Sequence, residues 1–192
     1  MKKITVFTPT YNRAYILPKL YESLKKQTVS DFIWLIVDDG SSDDTKSLVD
    51  TWKNEKQVDI VYIYQQNAGK MSAHNCGVIE CKTELFMCID SDDWIVNDSI
   101  ESILMEWEIL PYKEKEAICG IVAYRGVDTD KTIGNEFPLG TEKSTLSGLY
   151  SNGFRGDTTL IFKSNVIKQY LFPIIGNEKF ITEAYIYEQI DL

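Results

Sequence analysis

The stretch "LFMCIDSDDWI", residues 85–95, sets five apolar residues against three carboxylates within four positions, then a tryptophan. The apolar run reads as a buried strand spanning 84–90, and it stops on Asp90, Asp92 and Asp93. Like charges this close repel, so either water solvates them or a cation compensates them. Taken alone, the cluster reads equally as an acidic turn leading into the next helix. The flanking sequence decides between the two.

Upstream, apolar runs alternate with helical periodicities. "ITVFT" (4–8) is expected as a strand, with a helix over about 15–27 that tolerates Pro18 in its first turn. "FIWLIVDD" (32–39) has the unbroken apolar character of a strand covered on both faces. A helix should follow "GSSDDT", N-capped by Ser41 or Ser42. A third strand is expected at 58–65, then a helix over 69–82 weakened by Gly77. Downstream, Ile100, Ile103, Leu104, Trp107 and Leu110 recur at helical spacing after "NDS" and read as core. A fifth strand is expected at 117–126, a long mobile loop at 127–157, a strand at 158–163, a short helix at 164–170 and a last helix over 182–192. Strands separated by helices imply right-handed crossovers and a largely parallel sheet.

Composition narrows the class. At 192 residues, 44% of them apolar, one core is expected. A net charge of −9 argues against a nucleic-acid polymer as partner, because phosphate contacts need a clustered basic footprint. Cys76, Cys81, Cys88 and Cys119 contain no C-x-x-C pair, and His74 is the sole histidine, so structural zinc is not expected. The start "MKKITVF" turns polar too soon for a signal peptide, and no apolar run nears the roughly 20 residues that span a bilayer. The reading is a soluble, cytoplasmic protein.

The first four strands end in "TPTYNR", "VDDGSSDDT", "QQNAGK" and "DSDD". Parallel α/β sheets bind ligands at the carboxyl ends of their strands, so one shared site is the better reading. In this order, "TPTYNR", "VDDGSSDDT", "NAGKMSAHNCG" and "CIDSDDW" resemble the family 2 glycosyltransferases of GT-A fold. The resemblance is strong over about residues 4–94 and weaker through "RGDTTLIFKSNVI" and "GNEKFITEAYIYEQI".

That resemblance implies an inverting, metal-dependent transferase that moves a sugar from a nucleoside diphosphate sugar, UDP-linked by expectation, to an acceptor hydroxyl. It implies one catalytic unit over 1–192: a nucleotide-sugar half at 1–95 and an irregular acceptor side at 96–192, truncated at its C-terminus. Pro9, Thr10 and Tyr11 are expected beside the base, Asp39 to accept a hydrogen bond from it, and Asp38 to support the loop. Asn67 and Lys70 precede a helix N-terminus suited to an anion; Arg13 reads equally as a phosphate contact or a solvent-facing cation. Asp90 and Ser91 belong with the nucleotide, and Asp92, assisted by Asp90, with Mn²⁺ or Mg²⁺, hard ions suited to oxygen ligands. Asp93 reads as a supporting acid and His74 as a packed helix residue.

The general base would be Glu183, in "FITEAYIY", which departs from the family's E-D pattern by carrying Thr182 first. Asp157 is the alternative base or an acceptor contact. A saccharide or lipid-linked saccharide is the expected acceptor, surface or capsular polysaccharide synthesis the setting, and peripheral association with the inner membrane face stays open. Two other readings remain: a non-catalytic nucleotide-sugar or metal-binding module, and a D-x-D phosphatase. The phosphatase usually carries Thr or Val where this chain has Trp94.

Overall fold

The structure is a computed structural model and describes residues 2–128, 131–176 and 181–191. Six strands form one sheet: β1 (Ile4–Thr10), β2 (Phe32–Asp38), β3 (Ile60–Tyr64), β4 (Leu85–Cys88), β5 (Gly120–Tyr124) and β6 (Thr158–Lys163). Their order is β3-β2-β1-β4-β6-β5. The first four run parallel, with Ile4 opposite both Phe32 and Leu85. β6 is antiparallel to β4 and to β5, so the sheet is largely parallel, as expected, with β6 reversed.

Helices pack on both faces, and side-chain alternation along each strand divides the apolar residues between them. One face buries Ile4, Val6, Trp34, Ile36, Leu85 and Met87 under α1 (Leu17–Lys25), α2 (Thr45–Glu55) and α4 (Ser99–Ile109). The other buries Phe7, Leu35, Val37 and Phe86 under α3 (Lys70–Glu80), α7 (Ser164–Ile167) and α8 (Ala184–Asp191). The unbroken apolar runs of β2 and β4 are what a doubly covered strand requires. Tyr21 and Trp52 stack 4.3 Å apart over Trp34, so Trp34→Ala should cost about 3–5 kcal/mol of stability.

Several boundaries move, for local reasons. β1 extends through Thr10 because Asp38 pairs opposite it. Neither Ser41 nor Ser42 caps α2, which begins at Thr45. Asn12, at φ 53°, takes the Ser42 and Asp43 amides on its Oδ1, while Ser41 Oγ accepts from Asn12 N. The Thr45 amide and hydroxyl bond to Asp43 Oδ1 instead. Residue 117 ends a helix, α5 (Tyr112–Ala117), rather than starting β5. The segment read as loop at 127–157 carries α6 (Leu146–Ser151) and isolated bridges pairing Gly126 with Thr132 and Gly134 with Gly156. Gly77 is needed inside α3: a Cβ there would lie 2.3 Å from the Phe7 ring.

Candidate active site

Parallel pairing brings the carboxyl ends of β1, β2 and β4 to one edge, and the ladder continues just past the strands. The Asp39 amide donates to Thr10 O at 2.8 Å, Gln65 N to Asp38 O at 2.9 Å and Ile89 N to Phe7 O at 2.9 Å. The polar turns therefore leave the sheet side by side.

Asp38 and Asp39 are buried at this edge. Asp38 accepts from Ser41 N at 2.8 Å and from the Tyr62 hydroxyl at 2.5 Å, so it supports the loop as expected. Asp39 binds the turn after β3: its Oδ1 accepts from Gln65 Nε2 and Ala68 N, its Oδ2 from Asn67 Nδ2 and Gly69 N. All four lone-pair positions of that carboxylate hold a donor. A nucleobase reaching Asp39 must therefore exchange with one of the two side-chain amides. The turn needs Gly40, at φ 88°, because a Cβ there would sit 2.8 Å from Asn67 N. Pro9 and Thr10 close β1, Tyr11 is half exposed beside them, and the Thr10 hydroxyl is buried without a hydrogen-bond partner.

With Gly69 fixed by Asp39, α3 starts at Lys70 and projects its ammonium across the edge. The Nζ lies 2.9 Å from Asp90 Oδ1 and 2.8 Å from Glu183 Oε1. Glu183 immediately precedes α8, and its carbonyl accepts the amides of Ile186 and Tyr187. Burial raises the Glu183 carboxyl, but the hydrogen bond from Lys70 and its positive charge prevail and hold it below the usual glutamate value. Burial opposes the charge on Lys70, and its bonds to Glu183 and Asp90 prevail there too, holding the lysine well above its usual range.

The neighbouring acids also meet cations. Asp92 is half exposed, with Arg13 Nη1 3.9 Å away. Asp93 pairs with Arg125, yet burial, aided by the charges of Asp90 and Asp92, pushes its carboxyl above the ordinary value. Asp93 N donates to Asp90 O at 3.1 Å, closing the tight turn on which Ser91 is buried. A cleft of about 750 Å³ opens beside this cluster, lined by Lys70, Asp90, Asp157 and Glu183, and also by Trp94, Arg125 and Tyr187. Pro9, Thr10, Tyr11, Asp39, Asn67, Ser91 and Asp92 do not line it and continue along the same edge.

Residues expected from distant stretches thus meet: Asp39 holds the turn that projects Lys70, and Lys70 joins Asp90 to Glu183. Asp157 reaches the cleft from the start of β6. Part of "GNEKFITEAYIYEQI", residues 177–180, lies outside the described residues. His74 is packed as expected, edge-on to Phe7, Phe86 and Phe172, and burial lowers its pKa to about 4. Arg125 and Tyr187 escaped the sequence reading, and Trp94 entered it only as a mark against the phosphatase, because their partners lie far away in the chain or on another element. Among the described residues, no group of three or more His, Cys, Asp or Glu side chains is assembled to hold a metal ion. All four cysteines are free. No helix among the described residues is long and apolar enough to cross a membrane.

The chain is 29% identical over 156 residues to the chondroitin synthase of Escherichia coli, covering 79% of this chain and 22% of that protein. It is 26% identical over 186 residues to the GalNAc(5)-diNAcBac-PP-undecaprenol beta-1,3-glucosyltransferase of Campylobacter jejuni, covering 93% and 58%. It therefore spans less than two thirds of either relative. The crystal structure of S. aureus TarS 1-349 superposes with a TM-score of 0.70 at 20% identity, covering 98% of this chain and 55% of that one. The same protein has been solved in complex with UDP-GlcNAc. At that identity the likeness establishes the fold, which is GT-A. Residues 5–171 match Glycosyl transferase family 2. That match runs from within β1 to beyond α7 and takes in every strand of the sheet, and the chain belongs to glycosyltransferase family 2.

Proposed function

We propose that the chain transfers a sugar from a nucleoside diphosphate sugar, with UDP as the nucleotide, to an acceptor hydroxyl with inversion at the anomeric carbon. The observation that carries this reading is the meeting of Asp90 and Glu183 at one ammonium beside a cleft of sugar-accommodating size. An inverting transfer needs charge stabilisation on the leaving diphosphate and a base on the opposite side of the sugar. The two carboxylates come from different elements, one after β4 and one before α8, and both reach the cleft. The relatives act in glycan assembly by name, which favours a saccharide or lipid-linked saccharide acceptor in surface polysaccharide synthesis, and the TarS complex with UDP-GlcNAc favours UDP as the nucleotide.

In this reading Pro9, Thr10 and Tyr11 flank the base, Asp39 reads it, and Asn67 and Ser91 support the nucleotide. Asp92, with Asp90, would hold Mn²⁺ or Mg²⁺: the donors are oxygens only, they share one tight turn, and two carboxylates leave positions for phosphate and water. Such an ion supplies Lewis-acid stabilisation of the departing diphosphate. Glu183, ionised at neutral pH and held by Lys70 below the usual glutamate value, receives the acceptor proton. Asp157, across the cleft, contacts the acceptor, and it becomes the base if Glu183 is dispensable.

A thermal-shift series with UDP, with and without Mn²⁺, tests the donor side. UDP should raise the melting temperature only with the metal, and Asp92→Asn should remove that shift. An equal shift in the variant removes Asp92 from its role. Release of UDP from UDP-sugar without acceptor separates an enzyme from a binding module, and phosphate release from simple phosphomonoesters would identify a phosphatase.

A further inference from the structure

Lys70 makes a contact that neither a nucleotide-binding role nor a general base requires. Its ammonium stands between carboxylates of two different elements, 2.9 Å from Asp90 and 2.8 Å from Glu183. All three side chains are about one-third exposed, so these ion pairs can break without unpacking the core. The lysine's backbone cannot stray, because the preceding Gly69 amide is bound to Asp39. The same helix also holds the chain that leads toward Glu183: Asn75 Nδ2 donates to Phe172 O, and Phe172 N donates to Asn75 Oδ1, both at 2.9 Å. The ammonium is thus aimed from a fixed base at two carboxylates.

We propose that Lys70 is a positioning residue that ties Glu183 to Asp90, and that a divalent cation with its diphosphate competes with the ammonium for Asp90. This rests on the assignment of Asp90 and Glu183 given above. The competition is electrostatic. At close range and low effective dielectric like charges repel, and a divalent ion doubles the repulsion a single charge would meet. A bare cation meets this repulsion at Asp90, whereas a cation carrying diphosphate brings compensating negative charge. Lys70 then keeps Glu183 as its remaining carboxylate partner and holds it at the cleft, so metal enters with the donor and the base stays in register with it.

The test uses Lys70→Met and Lys70→Arg, with melting temperatures checking that both fold. Mn²⁺ alone, without nucleotide, is titrated by the electron paramagnetic resonance signal of the free ion. Lys70→Met should bind it about tenfold more tightly than wild type, and Lys70→Arg about as wild type does. With donor and acceptor present, Lys70→Met should divert turnover from transfer to donor hydrolysis by about tenfold, and Lys70→Arg should restore transfer. Unchanged or weaker Mn²⁺ affinity in Lys70→Met overturns the proposal. So does a rise in donor KM with the partition intact, which would make the lysine a plain phosphate contact. Glu183→Gln separates the two levels: undiminished transfer there removes the base assignment, while the Mn²⁺ titration, which involves no turnover, still decides whether Lys70 competes at Asp90.

Discussion

The acids after β2 and the acids after β4 and before α8 lie along one edge of one sheet, yet they are held by opposite means. Asp38 and Asp39 are 0% and 4% exposed, and the donors found on them are neutral: a tyrosine hydroxyl, two side-chain amides and three backbone amides. Asp90, Asp92, Asp93 and Glu183 are part-exposed and face the charged ends of Lys70, Arg13 and Arg125. A backbone amide cannot leave a carboxylate without unmaking its turn, whereas a long cationic side chain can swing away. The first pair builds the rim, and the second group is free to exchange partners.

Substitutions can break that contrast or sharpen it. Glu183→Gln should lower transfer by about 10²–10⁴-fold while leaving UDP affinity intact, measured by steady-state turnover and calorimetry. Asp39→Ala strips four donors of their acceptor and should cost about 3 kcal/mol in chemical denaturation, whereas Asp92→Asn should stay within about 0.5 kcal/mol. His74 tests pH. Burial lowers its folded pKa to about 4, so the unfolded chain takes up a proton first as pH falls below 6.5. Stability should therefore decline between pH 6.5 and 4, by about 3 kcal/mol at the lower end, and His74→Phe should flatten that slope.

For Glu183 the sign is also set by a lowered pKa: the base stays ionised as pH falls and is lost only on passing below the ordinary glutamate range. The acid limb of kcat/KM should lie below the ordinary glutamate range and move upward in Lys70→Met. At the small end, breaking the exposed Lys46–Asp50 pair with Lys46→Ala should change stability by less than about 0.5 kcal/mol.

Much of this was legible in the chain. The doubly covered strands declared themselves by unbroken apolar runs, and polar strand ends located the edge, because parallel pairing leaves those ends nowhere else to go. What stayed hidden depended on tertiary pairing. Nothing local reveals that Asn12 would take the amides at 42 and 43 and so push the start of α2 to Thr45. Lys70 read as a nucleotide contact because its two partners lie 20 and 113 positions away. Arg125 carried no motif, and its meaning comes from Asp93 on a separate strand end. The helix at 146–151 sits in a Gly- and Thr-rich stretch whose composition argues for loop; Thr145 caps it by accepting from Gly148 N.

The reversed strand has a further consequence. Because β6 runs against β5, with Tyr124 paired to Thr158, the chain leaves the sheet after Tyr124 and re-enters it at Thr158, at neighbouring points. That excursion can be lengthened, shortened or replaced without shifting any ladder. Residues of that excursion, Ile133, Leu146 and Tyr150 among them, line the cleft together with Lys70 and Asp90 from the sheet edge. Within such a layout, evolution can retailor what the excursion recognises and inherit the sheet edge unchanged.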